Sequence, residues 1–530
     1  MKIPRINVLY FVLFFGVLFY LIWVLGYFNL LSISIYQISV FLLSLLYVSM
    51  FIMFILIKIK DMIFSNKAFI VLFAINVAFI LFTFAIMYIK YLTYNATAWD
   101  LGIYEQILYS TAYYHKLFYY TVELFAVPSG SFLGTHFSPI LFFIVPFYVL
   151  YPHALTLLLI QGMLISAASF MLYVISKDLL KDNVASLLIA FSFLLNPGVG
   201  GLLFFDFHVE AFIPLIYFLI VFSLIRRKWV SYFIGLVSFL LIIEFNIYIM
   251  FMFILVLLLF LFNAKDLPRE TKAVVIVGSI VVFLAFFMLI PYVKSYFNPH
   301  VSSFAAYNPA SIAGYSGNVF SFINYLKSNI HVVLQSFITR FSCKVKYYLL
   351  TSAPLFGSLI DPLWLLPALP YIVFSMLSTY GPYFSIPYQY AMYFLPQLFV
   401  ASVFGFSRIS FRRRLAAVMF AVSVFVFLIG SPFSPFANPN FYVFISGLRS
   451  SYVHFLNIAV SLVPNDASVL TVNNLFPHVA NRLNAYVVPY SLGRLPGYIV
   501  NSNIRYVLVN AYSYIWGGQL AASYALGRGF

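Results

Sequence analysis

The sequence predicts an all-α polytopic membrane protein of about thirteen transmembrane helices, closed by a small C-terminal α/β domain outside the cytoplasm. Three observations predict it. Hydrophobic residues make up 64% of the 530 residues and charged residues 8%, too little polar surface to cover a water-soluble core of that size. Apolar runs long enough to cross about 30 Å of hydrocarbon recur from end to end. The basic residues gather in short segments between those runs, at Lys58/Lys60/Lys67, Lys177/Lys181, Arg226/Arg227/Lys228, Lys265/Arg269/Lys272 and Arg408/Arg412/Arg413/Arg414. That bias keeps loops in the cytoplasm and brings them near anionic lipid. The net charge of +16 therefore reads as topology, with membrane lipid as partner and no nucleic acid. The single Cys343 excludes an internal disulfide and any multi-cysteine metal site.

With the basic loops inside, spans fall near 7–31, 36–57, 68–89, 154–176, 184–200, 211–225, 229–245, 247–263, 273–290, 347–360, 363–378, 389–407 and 415–430. Residues 1–67 form an N-terminal hairpin. Lys2 and Arg5 precede its first apolar run, which is too long for a signal core and lacks a cleavage site, so it is expected to stay. The main transmembrane unit, 68–430, carries outer loops 90–153, 196–210 and 291–346. The apolar segment from His136 to Tyr151 contains Pro139 and Pro146. Were it to cross, every later basic loop would move outside, so it is expected to lie at the interface or re-enter. Residues 431–530 are the extracytoplasmic domain: a helix near 450–463, a strand over 467–472, a helix at 477–483, and strands at 485–489 and 504–510. The N-terminus is cytoplasmic and the tail outside.

This parity puts all eight histidines outside, with seven of the thirteen acids. Six of these acids, Asp100, Glu105, Glu123, Asp206, Glu210 and Glu244, fall at membrane-facing turns, where ionisable groups are costly and mark pathways or sites. In Asp206-Phe207-His208-Val209-Glu210 two carboxylates share a face whether the turn is extended or helical, with an imidazole beside them. Such a trio suits a divalent cation such as Mg or Mn, or a polar head group. A capped turn bonded to its own backbone is the other reading. Asp100, in Thr97-Ala98-Trp99-Asp100, stands where an amphipathic helix starts; it is a helix cap or a general base at the membrane surface. His136 opens the proline-bearing segment. Arg340, Lys344 and Lys346 anchor a span against head groups or hold a lipid phosphate. Glu244 and Asn246 cap a tight hairpin. Phosphate-binding glycine loops, nucleophile elbows and HExxH are absent.

The blocks WDLGIYEQ (99–106), HFSPILFFIVPFY (136–148), DFHVEAFIPL (206–215), YYLLTSAPLFGSLIDPLWLLPALPYIVFSMLS (347–378) and PNDASVLTVNNLFPHVANR (464–482) resemble, in that order, a prokaryotic membrane family known as a domain of unknown function (2079). That family is grouped with the GT-C glycosyltransferases, and the resemblance covers roughly 90 to 510. It implies a GT-C-like fold and transfer of sugar from a polyprenyl-phosphate donor, with Asp100 as base or metal ligand and His136-Phe137-Ser138-Pro139 opening a second juxtamembrane helix. Relatives tend to read DFHPE where this chain has Val209, and Tyr-His-Tyr where it has Tyr388-Gln389-Tyr390.

The leading expectation is a glycosyltransferase-like enzyme at the outer face. Asp100 would be catalytic; Asp206, His208 and Glu210 would hold the metal; Glu105, His136, Arg340, Lys344 and Lys346 would bind substrate. The alternatives are a lipid or lipid-linked sugar flippase and a non-catalytic scaffold with an outer binding domain. The bare middles of most spans count against ion-coupled transport. Sugar, acceptor and oligomeric state are not encoded in any recognisable pattern.

Overall fold

The computed structural model describes residues 18, 20–63, 67–300, 315, 319–488, 496–500 and 502–510. Part of the 7–31 span, part of the 291–346 loop and the last twenty residues lie outside them.

Helix dominates, and its surface shows which solvent the fold was built for. The helices Lys67–Leu92, Arg269–Phe297 and Arg412–Gly430 leave rows of large apolar side chains uncovered. Leu81 and Phe82, Val274, Val277, Val281 and Leu284, and Val418, Phe425 and Ile429 are all exposed. Water would penalise patches of that extent, whereas lipid tails do not. Among the described residues six helices are long and apolar enough to cross a membrane, or seven if the bent pair Asn183–Leu194 and Pro197–Phe205 is one span. Shorter apolar helices occupy Val209–Ile225, Trp229–Leu240, Pro362–Leu377 and Leu395–Ser407.

The proline-rich block 347–378, read from sequence as two spans, is irregular. It runs as the α-helix Phe341–Ser352, 3-10 turns at Ala353–Leu359 and Pro362–Ala368, and a short helix Leu369–Leu377. Pro354, Pro362 and Pro367 each remove a backbone donor and break the 3.6-residue period.

Ion pairs tie the basic loops to one another. Arg226 pairs with Asp178, Arg227 with Asp266, Arg413 with Asp182 at 2.8 Å and Arg408 with Asp361 at 2.6 Å. These pairs chain the loops at 178–182, 226–228, 264–266, 361 and 408–413 into one layer at one end of the bundle. Asp182 also caps the Asn183–Leu194 helix through Val184 N and Ala185 N. Ala154–Leu180 leaves that layer and, at 1.5 Å per residue, reaches the opposite end about 40 Å away. The histidine-bearing loops lie there. His136–Tyr151 runs as 3-10 helix from Pro139 to Phe143, then as α-helix from Val145 to Leu150. At about 2.0 and 1.5 Å per residue these pieces span less than 30 Å.

A small parallel sheet sits over this end, ordered β2-β1-β3 with β1 Val469–Thr471, β2 Ala485–Val487 and β3 Tyr506–Leu508. Val469 is in register with Ala485 on one side and Tyr506 on the other. β1 is central and wholly buried, as its apolar residues require of a parallel strand. The helix Ser451–Ser461 precedes it. Where a helix was expected at 477–483 there is one 3-10 turn, Phe476–His478. The chain then bends so that buried Arg482 can cap the carbonyls of Pro464 and Val479.

Candidate functional site

Two backbone irregularities carry the site. The first is a π-helical turn, Ala98–Gly102, ahead of the helix Ile103–Tyr114. It replaces the ordinary helix start expected at Asp100, and such turns recur where a side chain must be re-aimed. Gly102 lies flat against the Phe476 ring, where a Cβ would approach to 2.5 Å, and Asn473 Oδ1 accepts from Ala98 N at 2.8 Å. The tail therefore clamps the turn bearing Asp100. The second is the 44° bend between Leu194 and Pro197. Asn196 caps the second half through Gly198 N and donates to Thr351 O, and Pro197 suits the first helical position. Gly201 then lets that half pass the chain at Ile386, whose carbonyl oxygen would lie 1.6 Å from an added Cβ. The turn 206–210 is thereby brought against residues 386–393.

His208 Nε2 lies 3.2 Å from Asp100 Oδ1, and its Nδ1 lies 3.5 Å from the Asp206 carbonyl. Acceptors at both ring nitrogens favour the imidazolium. Burial opposes that charge, but the hydrogen bond to Asp100 and the carboxylates of Asp100, Glu210 and Asp206 outweigh it, so the His208 pKa is raised. Thr97 Oγ1 bridges Asp100 Oδ2 at 2.7 Å and Asp206 Oδ2 at 3.1 Å. Glu210 Oε1 accepts from the Tyr393 hydroxyl at 2.8 Å.

The other oxygen of Asp206 is taken by a lysine. Its Oδ1 meets Lys90 Nζ at 2.9 Å, and Lys90 also donates to the carbonyls of Phe204, at 3.0 Å, and Phe205. The lysine thus caps the C-terminal end of Pro197–Phe205, where helix polarity favours a cation. Burial lifts the Asp206 pKa above the ordinary range although Lys90 pulls it back. The metal-holding trio expected at Asp206, His208 and Glu210 is not assembled. Lys90, Asp100 and Tyr393 each claim a different member, and among the described residues no three His, Cys, Asp or Glu are grouped to hold a metal ion. The donor set does not fit the expected divalent cation.

Asp100, His136, His208 and Glu210 line one cavity of about 570 Å³, with Glu123, Glu244, Lys294 and many aromatic rings. A second carboxylate–cation group lies within it. Glu244 Oε1 meets His136 Nδ1 at 3.1 Å and Lys294 Nζ at 2.8 Å, while Oε2 accepts from Phe137 N at 3.0 Å. Burial alone would raise the Glu244 pKa, yet Lys294 and His136 hold it well below the usual carboxylate range. Burial likewise opposes charge on His136, but Glu244 raises its pKa.

The remaining expected residues are elsewhere. Glu105 is buried behind the cavity wall, where desolvation drives its carboxyl far above the ordinary range. Lys344 is fully buried and donates to the carbonyls of Ser336 and Met376 at 2.7 Å each, a structural cross-tie. Arg340 sits beside Gly381. Lys346 lines a second cavity of about 420 Å³ with Phe204, Tyr347, Leu350 and Ile429. The segment 383–390 divides the two: Tyr383, Gln389 and Tyr390 face the first cavity, Phe384 to Pro387 the second. Lys90, Lys294 and Tyr393 were not singled out from sequence. Only Lys90 left a signal there, as a lone cation ending an apolar run.

A lipid-facing helical bundle with an aromatic-lined cavity of paired carboxylates and imidazoles at one end is the architecture of a polytopic membrane protein. Residues 90–517 match the family model described as predicted membrane protein (DUF2079), and the chain belongs to that family. No curated protein matches it.

Proposed function

We propose that this protein is a GT-C-like glycosyltransferase that moves a sugar from a polyprenyl-phosphate-linked donor to an acceptor in the first cavity. The observation that carries the reading is the Asp100–His208 contact of 3.2 Å at the wall of that cavity, which brings a carboxylate and an imidazole from residues 108 positions apart to one site. In this reading Asp100 takes the proton of the acceptor hydroxyl as its oxygen bonds to the anomeric carbon. The bond from that carbon to the phosphate oxygen breaks, and its electron pair leaves on the polyprenyl phosphate. His136 and Lys294 meet the developing charge. Lys346, across the 383–390 segment, is not assigned to that phosphate. In this reading residues 431–488 of the tail and the loops around 90–153 form the lid of the site.

The same reading keeps thirteen crossings, with the shorter apolar helices serving as spans inside the bundle, the ion-paired basic layer in the cytoplasm and the cavity outside. The test uses the full chain in nanodiscs, supplied with radiolabelled polyprenyl-phosphate hexose and a mixture of envelope glycolipid acceptors. Asp100→Asn is expected to lower release of polyprenyl phosphate by about 10²–10⁴-fold. Equal release by the parent and the Asp100→Asn chain, or none by the parent, overturns the mechanism.

A further inference from the structure

Four carboxylates line the first cavity, Asp100, Glu123, Glu210 and Glu244, against three basic groups, His136, His208 and Lys294. The lining thus holds one more carboxylate than basic group. Glu210 is where the shortfall falls. Its Oε1 accepts from Tyr393, but Oε2 is buried without a hydrogen-bond partner, and the residue is 2% exposed. Gln389 Oε1, from the turn packed against Val209–Ala211, is likewise buried without a donor. Orphaned buried acceptors are costly unless something donates to them. What is missing is therefore a donor, not an acceptor. The surroundings add a second requirement. Tyr104, Tyr390 and Tyr393 all lie within electrostatic reach of Glu210, and their rings favour positive charge.

We infer that this end of the cavity is a subsite for a primary ammonium group carried by the ligand, an amino sugar being the fitting class. An ammonium brings several donors and one positive charge. It completes Glu210 and Gln389, balances the lining, and rests against the tyrosine rings. A hydroxyl in its place would satisfy one acceptor and leave the charge uncompensated. The inference shares with the transfer reading only the premise that the cavity binds a ligand. Transfer itself is not required.

The test is calorimetric titration of the full chain in nanodiscs with D-glucosamine, D-glucose and N-acetyl-D-glucosamine, at a pH where the free amine is charged. Glucosamine is expected to bind about tenfold tighter than either neutral sugar. Glu210→Gln should abolish that preference. Tyr393→Phe, which keeps the carboxylate and the ring, should preserve it. Failure of glucosamine to bind better than glucose, including no binding of either, overturns the inference, as does a preference that survives Glu210→Gln. A chain that prefers the amine but releases no polyprenyl phosphate refutes the transfer reading alone.

Discussion

Replacing Lys90 with methionine removes one half of a pair whose side chains are 9% and 1% exposed. Asp206 keeps its two contacts to Thr97, at 3.1 Å each, but loses its counter-charge. The carbonyls of Phe204 and Phe205 lose their donor as well. Breaking a buried pair from one side costs about 3–5 kcal/mol, or roughly two to three and a half powers of ten in the folded ratio. The cost depends on pH in a definite direction. The folded-state pKa of Asp206 is already raised, and removing Lys90 raises it further. A native state that binds the extra proton loses stability as pH rises from the unfolded carboxyl pKa through the folded one. Below that window the variant should lack only the two carbonyl bonds, about 1–2 kcal/mol. The assay is the denaturant midpoint in mixed micelles across pH, for Lys90→Met, Asp206→Asn and both together. The double variant should recover much of the loss, because no buried charge is left alone. Additive losses, or a Lys90→Met defect that is the same at acid and neutral pH, would refute the reasoning.

Other outcomes follow from the same geometry. Glu244, held below the ordinary carboxylate range, contributes stability above that range and loses it as pH falls through its folded pKa. Glu244→Gln should flatten the acid limb of a melting-temperature profile and let the His136 pKa fall, followed by NMR of the ring. Gly102→Val should cost about 1–3 kcal/mol by pressing on Phe476, and Phe476→Ala in the same chain should relieve part of it. A melting temperature unchanged by the single substitution would show that the tail does not clamp the turn. In a Cys343→Ser background, an impermeant thiol reagent should label a cysteine at Ser129 from outside and spare one at Ser410. Labelling at Ser410 reverses the orientation.

The polar islands of the chain were legible because hydrocarbon punishes them. Asp100, His136 and Asp206 to Glu210 stand out in apolar surroundings, and all but Asp206 come to the cavity. Their partners were hidden for the opposite reason. Which atom faces His208 is decided by how the Asn196–Pro197 break and Gly201 fold one segment on another, and no local pattern carries that. Lys90, one residue past the span 68–89, was given no role, although it answers the charge at Asp206 that a metal was expected to answer. Lys344 stood out for its charge, yet its ammonium serves backbone carbonyls. The strands expected over 467–472, 485–489 and 504–510 are realised at Val469–Thr471, Ala485–Val487 and Tyr506–Leu508. The π turn at 98–102 was not expected, since its residues would equally suit an ordinary helix.

The ammonium of Lys90 is covalent. A divalent ion in its place would have to be captured after the chain left the ribosome, and would exchange with the surrounding medium. A lysine is delivered with the polypeptide, one per chain, and cannot be washed out or replaced by a competing metal. The charge balance around Asp206 is thus set at synthesis, and the turn it supports keeps its shape whether the surroundings are rich or poor in divalent cations.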